Sequence, residues 1–287
     1  MVAVDLYVVS MLLVAILAGL VGSMVGVGGG VLVVPALTVG FGIPIEYAIG
    51  ASIISTIATS SGSASAYVRD RITNIRIGMF LEVGSVAGSI AGVLAVLYFV
   101  KSGLSALVYV LFGLVLFLAA YSVVHNIRAE KKGTLVNTTP NPLSTRLRLS
   151  GEYDDKSLGV RTAYVASRAP AGLAVMFFAG LVSGLLGVGG GTLKVLGMDT
   201  IMRLPFKVST TTSNFMIGVT ATASTGILFF NGYINVILAA PVAVGVVIGS
   251  LVGTRALARS KPISIRILFI LVLVVFGAEM IARGLSH

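Results

Sequence analysis

The 287-residue chain contains no cysteine and no tryptophan. Without cysteine it can form no disulfide, no thiolate metal site and no cysteine nucleophile. Without tryptophan, aromatic anchoring at a membrane interface falls to tyrosines such as Tyr98, Tyr121 and Tyr233. Charge is also scarce, at 10% of residues against roughly 25% in a soluble domain. Acidic residues are the rarer kind: 10 against 20 Lys and Arg, for a net charge of +10. In a soluble protein that excess would suggest nucleic acid. Here the basic residues fall in gaps between apolar runs, where membrane topology accounts for them, so no nucleic-acid partner is expected. The apolar segments contain no His/Asp/Glu cluster and no Ser–His pair. No catalytic residue, metal site or cofactor is therefore expected, and the chain does not read as an enzyme.

What is abundant is hydrophobicity: 56% of residues, with a mean hydropathy of +1.04. Long apolar runs such as Leu104–Val124 recur. About 20 helical residues cross a hydrocarbon core of about 30 Å. Backbone groups in lipid must bond within their own segment, so these runs predict helices. The alternating pattern of a β-barrel is absent. The first run is preceded by Asp5 and by no Lys or Arg, so it reads as a first helix and not as a cleavable signal. The expected fold is an all-α polytopic membrane protein with about 8–10 transmembrane segments, surrounded by the lipid bilayer.

The chain repeats itself. Shifted by 161 residues, Ala18–Gly30 falls on Ala179–Gly191, and both stretches end in Gly-Val-Gly-Gly-Gly. The register continues without a gap through Pro44/Pro205, Ser52/Ser213, Thr59/Thr220, Ser63/Ser224, Asn74/Asn235, Gly84/Gly245, Gly88/Gly249 and Gly92/Gly253. Each copy predicts a helix, the glycine motif, a short apolar piece (Val31–Phe41; Thr192–Met202), a long helix opened by proline, and two further helices. The short piece, about 16 Å at 1.5 Å per residue, cannot span alone.

Arg69, Arg71 and Arg76 follow the long helix of the first copy, whereas the matching Asn231–Asn235 is uncharged. Arg203 and Lys207 flank the proline of the second copy, where the first has Gly42 and Glu46. Equivalent loops are thus expected on opposite sides, which predicts two inverted-topology repeats with both termini outside. Lys101 and Arg283 stand outside this pattern. Two parallel copies of four crossings are the alternative. The expected division is 1–127 as first repeat, 128–170 as a polar cytoplasmic linker, flexible or weakly folded, and 171–287 as second repeat.

Four glycines in five positions interrupt a helix identically in both copies. Such a break at membrane depth is tolerated where protein buries it or where it lines a cavity. The restarting helices present N–H groups and positive dipole ends that suit an anion. The candidate binding set is Gly28, Gly29 and Gly30 with Ser52 and Thr56 in the first copy. In the second it is Gly189, Gly190, Gly191, Thr192, Lys194, Ser213 and Asn214. Ser52, Thr56, Thr59 and Ser63 share one helix face, as do Ser209, Ser213, Thr220 and Ser224; helix–helix hydrogen bonding is the alternative role. Lys194 lies three residues beyond its glycine motif. A charge at that depth costs roughly 2.5–3.5 kcal/mol, which suits a counter-charge for the anion, a snorkelling residue, or a partner of Glu82. Glu82 is the candidate coupling residue. Glu279 and Arg283 are spaced as a helical ion pair. The stripes at Gly84, Ser85, Gly88, Ser89 and Gly92 and at their counterparts read as helix packing.

The duplicated Gly-Val-Gly-Gly-Gly, followed by a short apolar stretch, a proline and a Ser/Thr-rich helix, resembles the TauE/SafE family of sulfite and organosulfonate exporters. Gly187–Val195 and Lys207–Thr220 look like the second half of its prokaryotic members. The resemblance covers both copies and omits only the linker and the ends. Leu196 departs from the proline usual at that position, which Pro35 keeps in the first copy, and this leaves the geometry of the second short helix open. The resemblance implies a secondary transporter in the plasma membrane of a prokaryote. Its substrate would be sulfite or a sulfoacetate-like organosulfonate, bound near the midplane between the repeats, with export the probable direction. A proton or another coupling ion is an open partner. An anion channel, another small anion such as a carboxylate or sulfate, and a homodimer all remain open.

Overall fold

The computed structural model describes residues 2–25, 29–69, 72–132, 142–155, 160–257 and 263–286. The first copy forms α1 (Val2–Val25), α2 (Gly30–Pro35) with a π-helical turn at Ala36–Gly40, α3 (Ile45–Arg69), α4 (Ile75–Lys101) and α5 (Ser105–Lys132). A connecting segment holds α6 (Pro142–Arg146), β1 (Ser150–Asp155) and β2 (Val160–Val165). The second copy forms α7 (Ala169–Leu186), α8 (Gly191–Leu196) with a π-helical turn at Gly197–Ile201, α9 (Phe206–Phe230), α10 (Val236–Leu257) and α11 (Ile263–Ser286).

Local chemistry sets these boundaries in the same way twice. Asn74 caps α4 by accepting from the Ile77 amide at 3.0 Å, and Asn235 accepts from the Ile237 amide at 2.9 Å ahead of α10. The geometry left open by Leu196 in place of Pro35 turns out alike in the two short helices. Both are six residues long and both run into a five-residue π-helical turn. In each, a threonine hydroxyl bonds back four residues, Thr38 to Val34 and Thr200 to Leu196. Proline sits at the last α-helical residue of α2, directly before the π-helical turn.

Among the described residues, six helices or parts of helices are long and apolar enough to cross a membrane: α4, Ser105–Val124 of α5, α7, α9, Val236–Gly253 of α10 and Ile267–Ser286 of α11. Polarity is distributed as lipid requires. Leu13, Leu17, Val83, Leu94, Phe178, Ile237 and Leu271 point outward, while Ser52, Ser55, Thr56, Ser85, Ser213, Thr220 and Ser224 are buried in the centre.

The helices make each close contact twice. On α4, Gly84, Gly88 and Gly92 lie against the carbonyls of Leu173, Phe177 and Leu181 on α7, so these two helices run in the same direction. On α10, Gly245, Gly249 and Gly253 lie against the carbonyls of Leu12, Ile16 and Leu20 on α1, at the same offset of 161. A side chain at these glycines would overlap a neighbouring carbonyl, so the small-residue stripes set interhelical distance. Two pairs, α5 with α11 and α3 with α9, run antiparallel. Gly113 of α5 meets Gly277 and Ile281 of α11, and Ala106 meets Gly284. Residues 72–74, after α3, lie at the start of α9, where the Asn74 amide donates to Thr212 Oγ1 at 3.2 Å. At the opposite end Tyr233, after α9, stacks obliquely on Tyr47 in the first turn of α3.

Within an otherwise helical chain, the segment between the copies contributes one pair of strands. β1 and β2 pair antiparallel from Ser150↔Val165 to Asp155↔Val160. The hairpin is tied down at its base. Asn74 Nδ2 donates to Ser150 O at 3.2 Å and to the Tyr164 hydroxyl at 3.0 Å, and the Ser167 amide donates to Met202 O at 3.0 Å. Leu149, Tyr153 and Tyr164 bury against Ile77, Leu81, Leu204 and Val208. Two exceptions to the basic-residue pattern also find a structural reason. Arg283 pairs with Glu279 at 3.2 Å and donates to the Thr38 and Val39 carbonyls that end the first short helix, where a cation offsets the helix dipole. Lys101 donates to Asn231 at 3.1 Å.

Gly88→Leu is expected to lower the melting temperature of the purified protein by several degrees, because overpacking costs typically 1–3 kcal/mol. Gly226→Ala, with open space around the position, should leave it unchanged or raise it. Equal effects of the two would contradict the packing role of the stripe.

Candidate functional site

The two glycine motifs meet through one side chain. Ser52, buried in α3, has its hydroxyl 3.0 Å from the Gly30 carbonyl of its own copy and 2.8 Å from the Gly187 carbonyl of the other. Its single proton serves two acceptors, one at each break. In the second copy Ser213 repeats the local half of this arrangement, donating to Gly191 O at 3.2 Å. Gly187, Gly189 and Gly190 have φ of +68°, +75° and +64°, a region that costs other residues dearly. The second break therefore needs glycine for conformation. Gly30 needs it for space: a Cβ there would overlap both Ser52 Oγ and Thr56 Oγ1.

Thr56 lies one turn along α3 from Ser52. Its hydroxyl is fully buried and has no hydrogen-bond partner among the described residues. It sits beside Gly30, and its methyl faces Gly189. The equivalent position in α9 is Ile217, which also faces Gly189. Gly30, Ser52, Thr56, Gly187 and Gly189 thus form one cluster. Gly29 closes the start of α2 by accepting from the Leu32 and Val33 amides. Thr192 and Asn214 are buried; their carbonyls accept from Ser122 and Ser60 respectively. Gly28 lies outside the described residues.

A second cluster lies one turn beyond the second break. The Lys194 amide donates to Gly190 O at 3.0 Å at the start of α8, and its side chain is 0% exposed. Lys194 Nζ donates to Thr220 Oγ1 at 2.5 Å, and Thr220 Oγ1 is 2.5 Å from Glu82 Oε1. Glu82, on α4, is 4% exposed, and its other oxygen has no partner among the described residues. The direct pairing of Lys194 with Glu82 is thus replaced by a bridge through a hydroxyl. Ser85 joins it at 2.9 Å from Thr220 Oγ1, and Ser89 reaches Thr220 O at 3.3 Å. Sequence reading had given these two serines to packing alone; their hydroxyls also tie α4 to α9.

Thr220 and the Gly187 carbonyl are the residues that sequence reading left out of the site. Thr220 carried a signal, since it matches Thr59 in the repeat. The charged pair breaks that repeat: Lys194 corresponds to Val33 and Glu82 to Ala243. Among the described residues no group of three or more His, Asp or Glu is placed to hold a metal.

Lys194→Met should destabilise the protein by about 3–5 kcal/mol, because it strands a buried carboxylate. Lys194→Met with Glu82→Leu should regain most of that loss in a thermal unfolding assay. A double variant as unstable as the sum of the two single ones would contradict the coupling.

Comparison with known proteins agrees with this architecture. The sulfite exporter TauE/SafE family profile matches residues 11–280. The probable membrane transporter protein YunE of Bacillus subtilis is 27% identical over 284 residues, covering 96% of this chain and 98% of its own. The probable membrane transporter protein YdhB of the same organism is 25% identical over 245 residues, covering 85% and 88%. The probable membrane transporter protein MJ0441 of Methanocaldococcus jannaschii is 24% identical, covering 94% of each chain. No solved structure matches the chain. With a profile match across nearly its whole length, and six helices among the described residues long and apolar enough to cross a membrane, the chain belongs to the sulfite exporter TauE/SafE family of multi-pass membrane transporters.

Proposed function

We propose that the protein is a secondary transporter, working as an exporter in a prokaryotic inner membrane, for a small sulfur-containing anion such as sulfite or an organosulfonate. The anion binds near the midplane, between two inverted copies of one unit. The observation that carries this reading is the Ser52 hydroxyl, which lies within hydrogen-bond distance of both glycine breaks. Two helix interruptions that meet at one point are the arrangement an alternating-access site between repeats requires.

Inversion is supported by direction. Helices α3 and α9 are equivalent in the repeat and run antiparallel, as do α5 and α11. A two-fold axis lying in the membrane plane relates such pairs, whereas an axis along the membrane normal would leave them parallel. The hairpin docks where Arg76 and Arg203 begin and end their segments, which favours a cytoplasmic position for residues 128–170.

Anion binding is supported by the donors. Thr56 offers a buried hydroxyl without a partner, Lys194 offers a buried ammonium, and the breaks offer helix N-termini. Sulfite and sulfonates carry three oxygens around sulfur, which suits several short donors converging from different helices. The family and the printed names of the relatives favour transport over a channel.

Purified protein in liposomes preloaded with sulfite should show saturable counterflow of labelled sulfite. Thr56→Val should weaken apparent affinity about 5–30-fold, the equivalent of roughly 1–2 kcal/mol for one lost hydrogen bond, with little change in melting temperature. Absence of counterflow with sulfite and with sulfonates would refute the reading. Full affinity in Thr56→Val would remove that hydroxyl from the site.

A further inference from the structure

We propose that transport by this protein is electroneutral, one proton moving with each monovalent anion, and that Glu82 carries the proton while Lys194 holds the anion. This rests on the anion-transport reading above and adds its charge balance; because the proton gradient of such a membrane points inward, export is drawn by the anion's own gradient. The geometry that carries it is the Lys194–Thr220–Glu82 bridge, which joins α8 and α9 of one copy to α4 of the other.

The empty site is internally neutral. The Lys194 ammonium and the Glu82 carboxylate share the Thr220 hydroxyl, and both are buried. A neutral pair can change its access from one side to the other without carrying net charge through lipid. An anion that enters at the adjoining break and engages Lys194 makes the site net negative if Glu82 stays ionised. A second anion beside a buried carboxylate is costly in a low-dielectric interior, and no helix movement removes that cost. A proton on Glu82 restores neutrality. The unpartnered Glu82 Oε2 is the atom placed to accept it, with Oε1 remaining against Thr220. No bond other than O–H forms; the proton arrives from water on the side the site faces and leaves to water on the other.

The surroundings leave this role to Glu82. Lys194 is the charged group that faces it. Helix α7 has no titratable residue, and α9 has Lys207 alone, exposed in its first turn. On α5, Tyr109 faces Glu46 and Arg283, Tyr121 points outward, and the His125 side chain lies outside the described residues. On α4 itself Arg76 and Lys101 are exposed near the ends. The hairpin's Tyr164 is held by Asn74, two turns before Glu82. The equivalent positions hold Val33 in the first copy and Ala243 in the second, so the bridge occurs once and the expected count is one proton per turnover.

The test uses the intact protein in liposomes with an internal pH dye and a potassium–valinomycin voltage clamp. The probe is sulfite in mildly acidic buffer, where the anion is bisulfite with a single charge. Wild type is expected to acidify the lumen by one proton for each anion taken up, with flux indifferent to voltage. Glu82→Gln is expected to lose net uptake at least tenfold, because its empty site keeps an unbalanced ammonium. Exchange of anion for anion should persist at a measurable rate, because the loaded site stays neutral. Thr220→Ser should keep coupling and Thr220→Val should loosen the ratio. Uptake in wild type that follows voltage and moves no protons would overturn the proposal while leaving the transport reading intact. No counterflow of any kind in wild type would overturn both. The wild-type ratio decides the matter even if a variant fails to fold.

Discussion

A backbone that stops being helical at membrane depth must satisfy its polar groups from neighbouring protein, since lipid offers nothing. In this chain that constraint falls on two glycine breaks, and the Ser52 hydroxyl meets carbonyls from both. Other features of the centre follow from it. Gly30 has no side chain because Ser52 and Thr56 occupy the space. The second break takes left-handed backbone at Gly187, Gly189 and Gly190, and the Gly187 carbonyl meets Ser52 of α3. The helices around them are held at glycine-to-carbonyl distance, which brings α4 beside α7 and α1 beside α10. Loss of any one of these conditions would leave peptide groups without partners in an apolar medium.

Duplication supplies the frame, and departures from it supply the chemistry. The packing contacts recur at one offset throughout, from Gly84 against Leu173 to Gly245 against Leu12. The polar interior recurs only in part: Ser52 and Ser213 make the same local bond, but the residues around them differ. Thr56 faces the breaks from one copy where Ile217 does so from the other, and Lys194 and Glu82 replace Val33 and Ala243. A symmetric scaffold can present its centre to either side of the membrane, while an asymmetric centre allows the two copies to divide binding and charge compensation between them.

Much of the fold was legible because it depends on local chemistry repeated twice. Proline at 44 and 205, asparagine at 74 and 235, and the glycine runs marked helix ends that the structure places within a residue or two. Two things were not legible. The hairpin at 150–165 has a first strand, Ser-Gly-Glu-Tyr-Asp-Asp, with no alternating apolar face; it is held by Asn74 and by contacts to α4 and α9 that sequence spacing does not reveal. The Lys194 bridge joins residues 26 and 138 positions from Thr220. Each was visible as an isolated polar residue in an apolar run, but periodicity within one helix says nothing of which neighbour it meets. Leu196 left the geometry of the second short helix open; that helix starts at glycine and carries the threonine back-bond in its following turn, as the first does.

The central claim, that both breaks and the Lys194 bridge surround one anion, is tested most directly by locating that anion. Selenite has the shape and charge of sulfite and scatters X-rays anomalously at the selenium edge, so its position can be read without interpreting the surrounding density. Crystals of the protein grown with selenite are expected to show one selenium peak within contact distance of the Thr56 hydroxyl and Lys194 Nζ, between Gly30 and Gly189. A peak elsewhere in the protein, or no peak at saturating selenite with Ser52 still bridging two closed breaks, would contradict the account.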